Sequence, residues 1–227
     1  MSSMFCFQCQ ETAGNKGCTI KGVCGKQPVT SNYMDMMLYV TRGIAIVNKK
    51  LRENKLASKE AEHVILDSLF ATITNANFDD NAIIAKIDNA FRLKDKLIAI
   101  AKENGVALPE MDEVWFKVEA HDYLSYESKV GILNETNEDI RSLKQLAIIG
   151  LKGLAAYAEH ALTLGFEDES LYEILEETLY GVSSNELSAD ELTALVLKVG
   201  AIGVNAMALL DKANTTSYGH PEITKVN

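Results

Sequence analysis

The sequence predicts an all-α protein, two three-helix bundles preceded by an N-terminal cysteine-rich loop. Three observations carry that expectation. Beyond about residue 31, apolar residues recur every three or four positions in six separate stretches, the signature of amphipathic helices. Most of these stretches open on Ser, Asp or Asn and close on Gly or Asn, which are helix start and stop residues, and the chain holds only three prolines. All four cysteines fall within the first 24 residues, so whatever chemistry they carry belongs to a loop and not to the helical remainder.

Length and composition bound the alternatives. At 227 residues the chain is long enough for one large domain or two compact halves, and 47% hydrophobic content argues against disorder. A formal net charge of -10 makes nucleic acid an unsuitable partner, because such binding draws on Lys and Arg to neutralise phosphates. The charge is uneven. Residues 1–54 carry Lys16, Lys21, Lys26, Arg42, Lys49, Lys50 and Arg52 against Glu11, Asp35 and Glu53, a local excess of positive charge in an acidic protein. The start, Met-Ser-Ser-Met-Phe, has neither a charged n-region nor an apolar h-region, so nothing directs the chain to an oxidising compartment and a cytoplasmic location is expected.

The loop, residues 1–30, comes first. Cys6, Cys9, Cys18 and Cys24 form a Cys-x2-Cys-x8-Cys-x5-Cys array. Four thiolates in one short loop can converge on a single tetrahedral centre, as an all-cysteine iron-sulfur cluster or a structural zinc requires. Two disulfides are the competing arrangement, disfavoured by the missing leader. Zinc usually brings a second close Cys-x2-Cys or His pair, and the far half here is Cys-x5-Cys. Spacing therefore favours metal over disulfide and iron-sulfur over zinc, and leaves all three open. Gly14, Gly17, Gly22 and Gly25 let the backbone take positive φ and bring amide N–H groups toward sulfur, where they tune a cluster's potential. The basic surround suits a negatively charged cluster, although solvated surface lysines explain it equally well.

The first bundle is expected over residues 31–104. Tyr33, Met36, Val40, Ile44, Val47 and Leu51 place one face of a helix running from about Ser31 to Asn54. A second helix follows Ser58, with Ala61, Ile65, Leu69 and Ile73 on one face. A third opens at the N-cap candidate Asp79, runs through Ile84, Ile87, Phe91 and Ile98, and stops at Asn104-Gly105. Residues 105–135 break the rhythm. Val114, Phe116 and Val118 alternate with charged residues as a short strand would, but Trp115 spoils the two-sided pattern, and the segment reads as irregular connection with a helical turn.

The second bundle is expected over residues 136–214. Thr136-Asn-Glu-Asp139 is a capping-box variant that opens a helix through Leu143, Leu146, Leu154 and Tyr157 and ends at Gly165. Ser170 to Tyr180 makes a shorter helix closed by Gly181. Ser188-Ala-Asp-Glu191 is a true capping box leading into Leu192–Leu210, apolar almost all round. That last helix is long enough for a membrane span. Lys198, Asn205 and the close approach that Gly200 and Gly203 would permit favour instead a central helix of a bundle, with no membrane partner.

Other chemistry finds little support. Glu60-Ala-Glu-His63 is half of a di-iron carboxylate motif, and His121, His160 and His220 lack the Glu that would supply the other half. His160 reads as a hydrogen-bonded core or rim residue. No Gly-x-Gly-x-x-Gly, P-loop or Gly-x-Ser-x-Gly occurs. Between Glu167 and Glu191 nine acidic residues stand without a Lys or Arg, either a solvated face or a surface steering a basic partner.

Phe5-Cys-Phe-Gln-Cys-Gln-Glu-Thr-Ala, Gly17-Cys-Thr and Gly22-Val-Cys-Gly-Lys26 together resemble the N-terminal signature of the hybrid cluster proteins, also called prismane proteins or hydroxylamine reductases. The similarity continues through Asn137-Glu-Asp-Ile-Arg-Ser-Leu143, Gly150-Leu-Lys-Gly-Leu-Ala-Ala-Tyr157 and Leu209-Leu-Asp-Lys-Ala-Asn214 and covers essentially the whole chain. It implies a helical N-terminal domain whose Cys6, Cys9, Cys18 and Cys24 hold a [4Fe-4S] cluster. It also implies an electron relay between a donor protein and a catalytic centre that reduces hydroxylamine to ammonia, and nitric oxide under nitrosative stress. The catalytic hybrid iron-sulfur-oxygen cluster takes a His, glutamates and further cysteines from later domains, and no cysteine follows Cys24. No catalytic residue is therefore assigned here. Residues 215–227 are expected to lead toward those domains if the chain is part of a longer reductase; a free-standing redox or redox-sensing protein and a structural zinc domain are the alternatives.

Overall fold

The computed structural model describes residues 4–223. Among the described residues the regular structure is helical: α1 (Pro28–Glu53), α2 (Lys59–Ile73), α3 (Asp80–Glu103), the short α4 (Asp112–Trp115) and α5 (Glu127–Val130), then α6 (Glu138–Thr163), α7 (Glu169–Ser183) and α8 (Ala189–Tyr218). The only β pairing among these residues is an isolated antiparallel bridge between Cys6 and Cys18.

The six long helices are the six that the periodicity predicts, and their ends follow from local chemistry. Ser58 accepts from the Ala61 N–H at the start of α2, and Asp79 from the Asn81 N–H at the start of α3. The Ser188–Glu191 capping box is fully formed. Three ends differ from expectation. α1 starts at Pro28, because proline's fixed φ and missing N–H suit the first helical turn. α6 is capped by Asn137 in place of Thr136, its side chain accepting from the Asp139 and Ile140 N–H groups. Gly181 does not close α7; the helix runs on to Ser183, and a β-carbon on Gly181 would stand 2.8 Å from Leu195 Cδ2. Glycine there admits α8, which is a packing role.

The central helix is α1. Met36, Met37, Val40, Ile44, Val47 and Leu51 are completely buried, with α2, α3, α4 and α7 packed around them. α2 also packs on α6, so the two sets of three helices share one contiguous core. α8, expected to be central, lies at the edge. It docks on α6 and α7 through Leu192, Leu195, Val199, Ala206 and Ala213, while Leu197, Val204 and Met207 face outward. A β-carbon on Gly200 or Gly203 would meet nothing within 4 Å, so neither glycine serves a close approach. By length and composition α8 is the one helix among the described residues able to cross a membrane, with 22% of its apolar window buried.

Residues 105–135 are mostly turns and short helices, with no strand at 114–118. The segment is held to the first bundle by a buried cation. Lys94 of α3, fully buried, donates to the Glu113 carbonyl at 2.9 Å and the Phe116 carbonyl at 2.7 Å. A second charged cluster joins α1, α2 and α7. Arg52 binds Glu169 and the nearly fully buried Glu62 and Glu176, and Asn48 donates to Glu176 at 2.6 Å.

Candidate metal centre

The cysteine loop contains two hydrogen-bonded turns. Cys6 and Cys18 exchange both backbone hydrogen bonds, at 2.9 and 3.0 Å, which closes the first turn and brings two of the four cysteines together in buried positions. The Thr12 hydroxyl donates to the Cys6 carbonyl at 3.0 Å. Gly22 N–H donates to the Lys26 carbonyl and Gly25 N–H to the Gly22 carbonyl, folding the second turn around Cys24. All four cysteines are free thiols, with Cys9 half-buried and Cys24 exposed.

The glycines do what their spacing predicts at three positions, where φ is +58° at Gly14, +120° at Gly17 and +96° at Gly25. The fourth has a different reason. A β-carbon on Gly22 would lie 3.0 Å from Cys24 Sγ and 3.2 Å from the Lys26 backbone nitrogen, so any larger residue would crowd this turn. The expected amide-to-sulfur contact is present, with Ala13 N–H donating to Cys18 Sγ at 3.4 Å. Burial works against a thiolate at Cys18, but the N–H groups of Ala13 and Val23, the Thr12 hydroxyl and the Lys26 charge together hold that thiol below its ordinary value. At Cys6 burial dominates and pushes the thiol up.

Among the described residues no three His, Cys, Asp or Glu side chains converge as a ready-made group for a single ion. The donor chemistry beneath the loop nevertheless suits an anionic centre. Lys26 and Lys152 are each only 1% exposed. Lys152 Nζ reaches from α6 to the Gln8 carbonyl at 2.9 Å and Gln8 Oε1 at 2.5 Å, and the Gln8 amide donates onward to Asp35 of α1. Burial, with Lys26 adding to it, pulls Lys152 down to about 7, while Asp35, Cys6 and Cys9 oppose the shift. Burial likewise pushes Asp35 up to about 7. Two buried lysines thus face one carboxylate beside Cys6, Cys9 and Cys18, and their charge is costly to bury unless an anion is near. A metal centre held by cysteine thiolates would supply such an anion.

Lys152, Gln8 and Asp35 are not picked out by motif reading. Lys152 did leave a signal, because it falls in register with Ile148, Leu151, Leu154 and Ala155, a cation on a helix's apolar stripe. Lys26, one of the basic residues near the cysteines, is buried and is no solvated surface lysine. A cleft of about 870 Å³ opens beside Phe7 and Gln8, toward Asp35, Arg42, Arg141 and Lys144. Its cations are already engaged: Arg42 lies 3.7 Å from Glu113, Lys144 3.2 Å from Glu135, and Arg141 donates to the Glu135 carbonyl.

The remaining candidates resolve into structural roles. His63 pairs with Glu167 at 3.0 Å and Glu60 with Lys96 at 2.6 Å, so the Glu-x-x-His residues point to different partners. His160 is exposed and packs edge-to-face on Phe70. Much of the acidic run is occupied internally: Glu167, Glu169 and Glu176 bind cations of α1 and α2, Glu177 binds Lys198, and Asp168 and Glu191 cap helices.

Comparison with known proteins decides the family. The Prismane/CO dehydrogenase family profile matches residues 4–227. This chain belongs to the prismane/CO dehydrogenase family. Similar relatives are proteins named hydroxylamine reductase, from Porphyromonas gingivalis at 53% identity, Desulfitobacterium hafniense at 50% and Clostridium perfringens at 47%. Each alignment covers 99% of this chain but only 41 or 42% of the relative, so the prismane-family chain described here spans about two fifths of their length. Iron-sulfur chemistry is what the family membership and the cysteine loop have in common.

Proposed function

We propose that this chain is the N-terminal electron-relay portion of a hydroxylamine reductase, with Cys6, Cys9, Cys18 and Cys24 ligating a [4Fe-4S] cluster. The observation that carries the reading is the cysteine loop seated over buried Lys26 and Lys152, a positive site that a cluster of negative total charge neutralises. When bound, such a cluster takes up and releases single electrons at a potential set by its charge, its hydrogen bonds and its exposure. The chain's own residues supply the rest. Ala13 donates to Cys18, Gly22 leaves room beside Cys24, and Lys152 of α6 and Asp35 of α1 hold Gln8 of the first turn.

Relatives named hydroxylamine reductase support the overall reaction, in which hydroxylamine takes two electrons and two protons to give ammonia and water. The catalytic hybrid iron-sulfur-oxygen cluster belongs, in this reading, to the part of the longer enzyme outside these 227 residues. An electron-donor protein and that remaining part are the partners, in the cytoplasm, with nitric oxide as a further substrate under nitrosative stress. The 227-residue chain alone has negligible hydroxylamine reductase activity.

The test is anaerobic purification followed by iron, sulfide and zinc analysis. About four irons and four sulfides per chain, with a visible absorption band that bleaches on reduction, is the expected result. Stoichiometric zinc without sulfide, or native protein free of metal, overturns the reading.

A further inference from the structure

We propose that Lys152 is a positioning residue for the cysteine loop: reaching from α6 to both oxygens of Gln8, it fixes the Cys-x2-Cys turn and sets a buried positive charge that raises the potential of the centre held there. The electrostatic half of this rests on the reading that the loop binds a cluster; the mechanical half does not.

Gln8 is the residue before Cys9, and it is 4% exposed. One ammonium group accounts for its backbone carbonyl and its side-chain oxygen together, and the same side chain then donates to Asp35. The turn is thereby tied to α6 on one side and to α1 on the other, across 144 residues of sequence. An ammonium has three donors, and Gln8 accepts two of them. The groups that act on its charge are Lys26, which repels, and Asp35, Cys6 and Cys9, which attract. Apart from the sulfurs, two lysines stand against one carboxylate, and Lys152 is shielded from water.

Adding an electron to a thiolate-ligated centre increases its negative charge, and a nearby cation in a medium of low dielectric favours that reduced state. Lys26 contributes in the same direction, but it stands two residues after Cys24, so changing it also moves a ligand. Lys152 arrives from a separate helix and can be altered without altering the loop's own sequence.

The experiment compares Lys152→Met, Lys152→Gln and Lys152→Arg with the unaltered 227-residue chain by two readouts. In iron-free protein, chymotryptic cleavage after Phe5 and Phe7 is expected to be several-fold faster in Lys152→Met, with helical circular dichroism unchanged. In anaerobically loaded protein, Lys152→Met and Lys152→Gln are each expected to shift the one-electron equilibrium at least tenfold toward the oxidised form, 59 mV downward, while Lys152→Arg stays within threefold of the original. A purely structural residue would change iron content and leave the potential of the loaded fraction where it was. Equal cleavage rates overturn the clamp, and equal potentials in loaded variants overturn the electrostatic role. If the unaltered chain binds no iron and sulfide, the cluster reading falls while the cleavage assay still decides the clamp. If Lys152→Met does not fold, Lys152→Gln, which removes the charge and shortens the reach to Gln8 by one atom, gives both answers.

Discussion

Gly43 of α1 lies so close beneath Glu113 that a β-carbon at Gly43 would stand 2.2 Å from the Glu113 carbonyl oxygen. The same carbonyl accepts from Lys94, whose alkyl stem would also be only 2.9 Å away. Backbone is the least yielding neighbour a side chain can meet. Gly43→Ala is expected to destabilise the fold by about 1–3 kcal/mol, the usual cost of overpacking a tight core, measured by urea denaturation. Stability equal to the parent would show that the α1–α4 contact opens freely.

Lys94 gives the fold a pH dependence. Burial lowers its pKa from an ordinary 10.5 to about 8. Between those values the unfolded chain binds the proton and the folded chain does not, so stability rises as pH increases above about 8. The full contribution is about 3 kcal/mol as an upper figure. Tyr39, Tyr123 and Tyr172 work the other way, because burial raises each above its ordinary 10.0, so their contribution is lost at higher pH. The window is therefore about pH 8 to 10. Lys152, pulled down to about 7, acts in the same direction, so denaturation across the window should show a rising midpoint whose slope lessens without vanishing in Lys94→Met, whose overall stability is also lower because two buried carbonyls lose their donor.

Arg52 neutralises carboxylates that have almost no access to water. Glu62 and Glu176 are each 1% exposed in their side chains, and removing the guanidinium leaves Glu176 with only the neutral Asn48 amide and Glu62 with Lys59 alone. Arg52→Met is expected to cost about 3–5 kcal/mol, the penalty for breaking a buried ion pair from one side. Arg52→Lys should recover little of it, since a single ammonium cannot replace a fork that binds three carboxylates. Thermal unfolding followed by circular dichroism measures both.

The cysteine loop should be separable from the scaffold. Met4, Cys6 and Cys18 form a small apolar cluster apart from the main core. Chelation of bound metal, or Cys9→Ser, is therefore expected to abolish stoichiometric iron and sulfide while leaving the helical signal within about a tenth of its starting value. Cooperative loss of helix on chelation would show that the metal organises the whole domain, as in zinc fingers.

The helices were legible because their information is local. Ser58, Asp79 and Ser188 cap the helices they were expected to cap, and the stripe from Met36 to Leu51 is buried throughout. The cysteine loop was legible for the same reason, since spacing and glycine content are properties of a short stretch. Errors arose where one residue type serves two purposes. Gly181 stops a helix in most contexts and here makes room for Leu195, while Gly200 and Gly203 mark close approach in most contexts and here face open space.

The amino-acid order alone determined that the protein is helical, where most helices begin, and that four thiols gather at one end. Which helix is central, and which charges are buried, were decided only in three dimensions. α8 is more continuously apolar than α1, yet α1 lies inside, because centrality depends on how many other helices have complementary faces to offer it. Lys26 and Lys152 are far apart in sequence, and only Lys152, on the apolar stripe of α6, leaves a local sign of its burial. Burial against the same loop, with Asp35 as their neighbouring carboxylate, sets two ordinary lysines apart from the solvated ones. Electrostatic energy in a protein depends on distance and on the exclusion of water, and both are set by the packed fold.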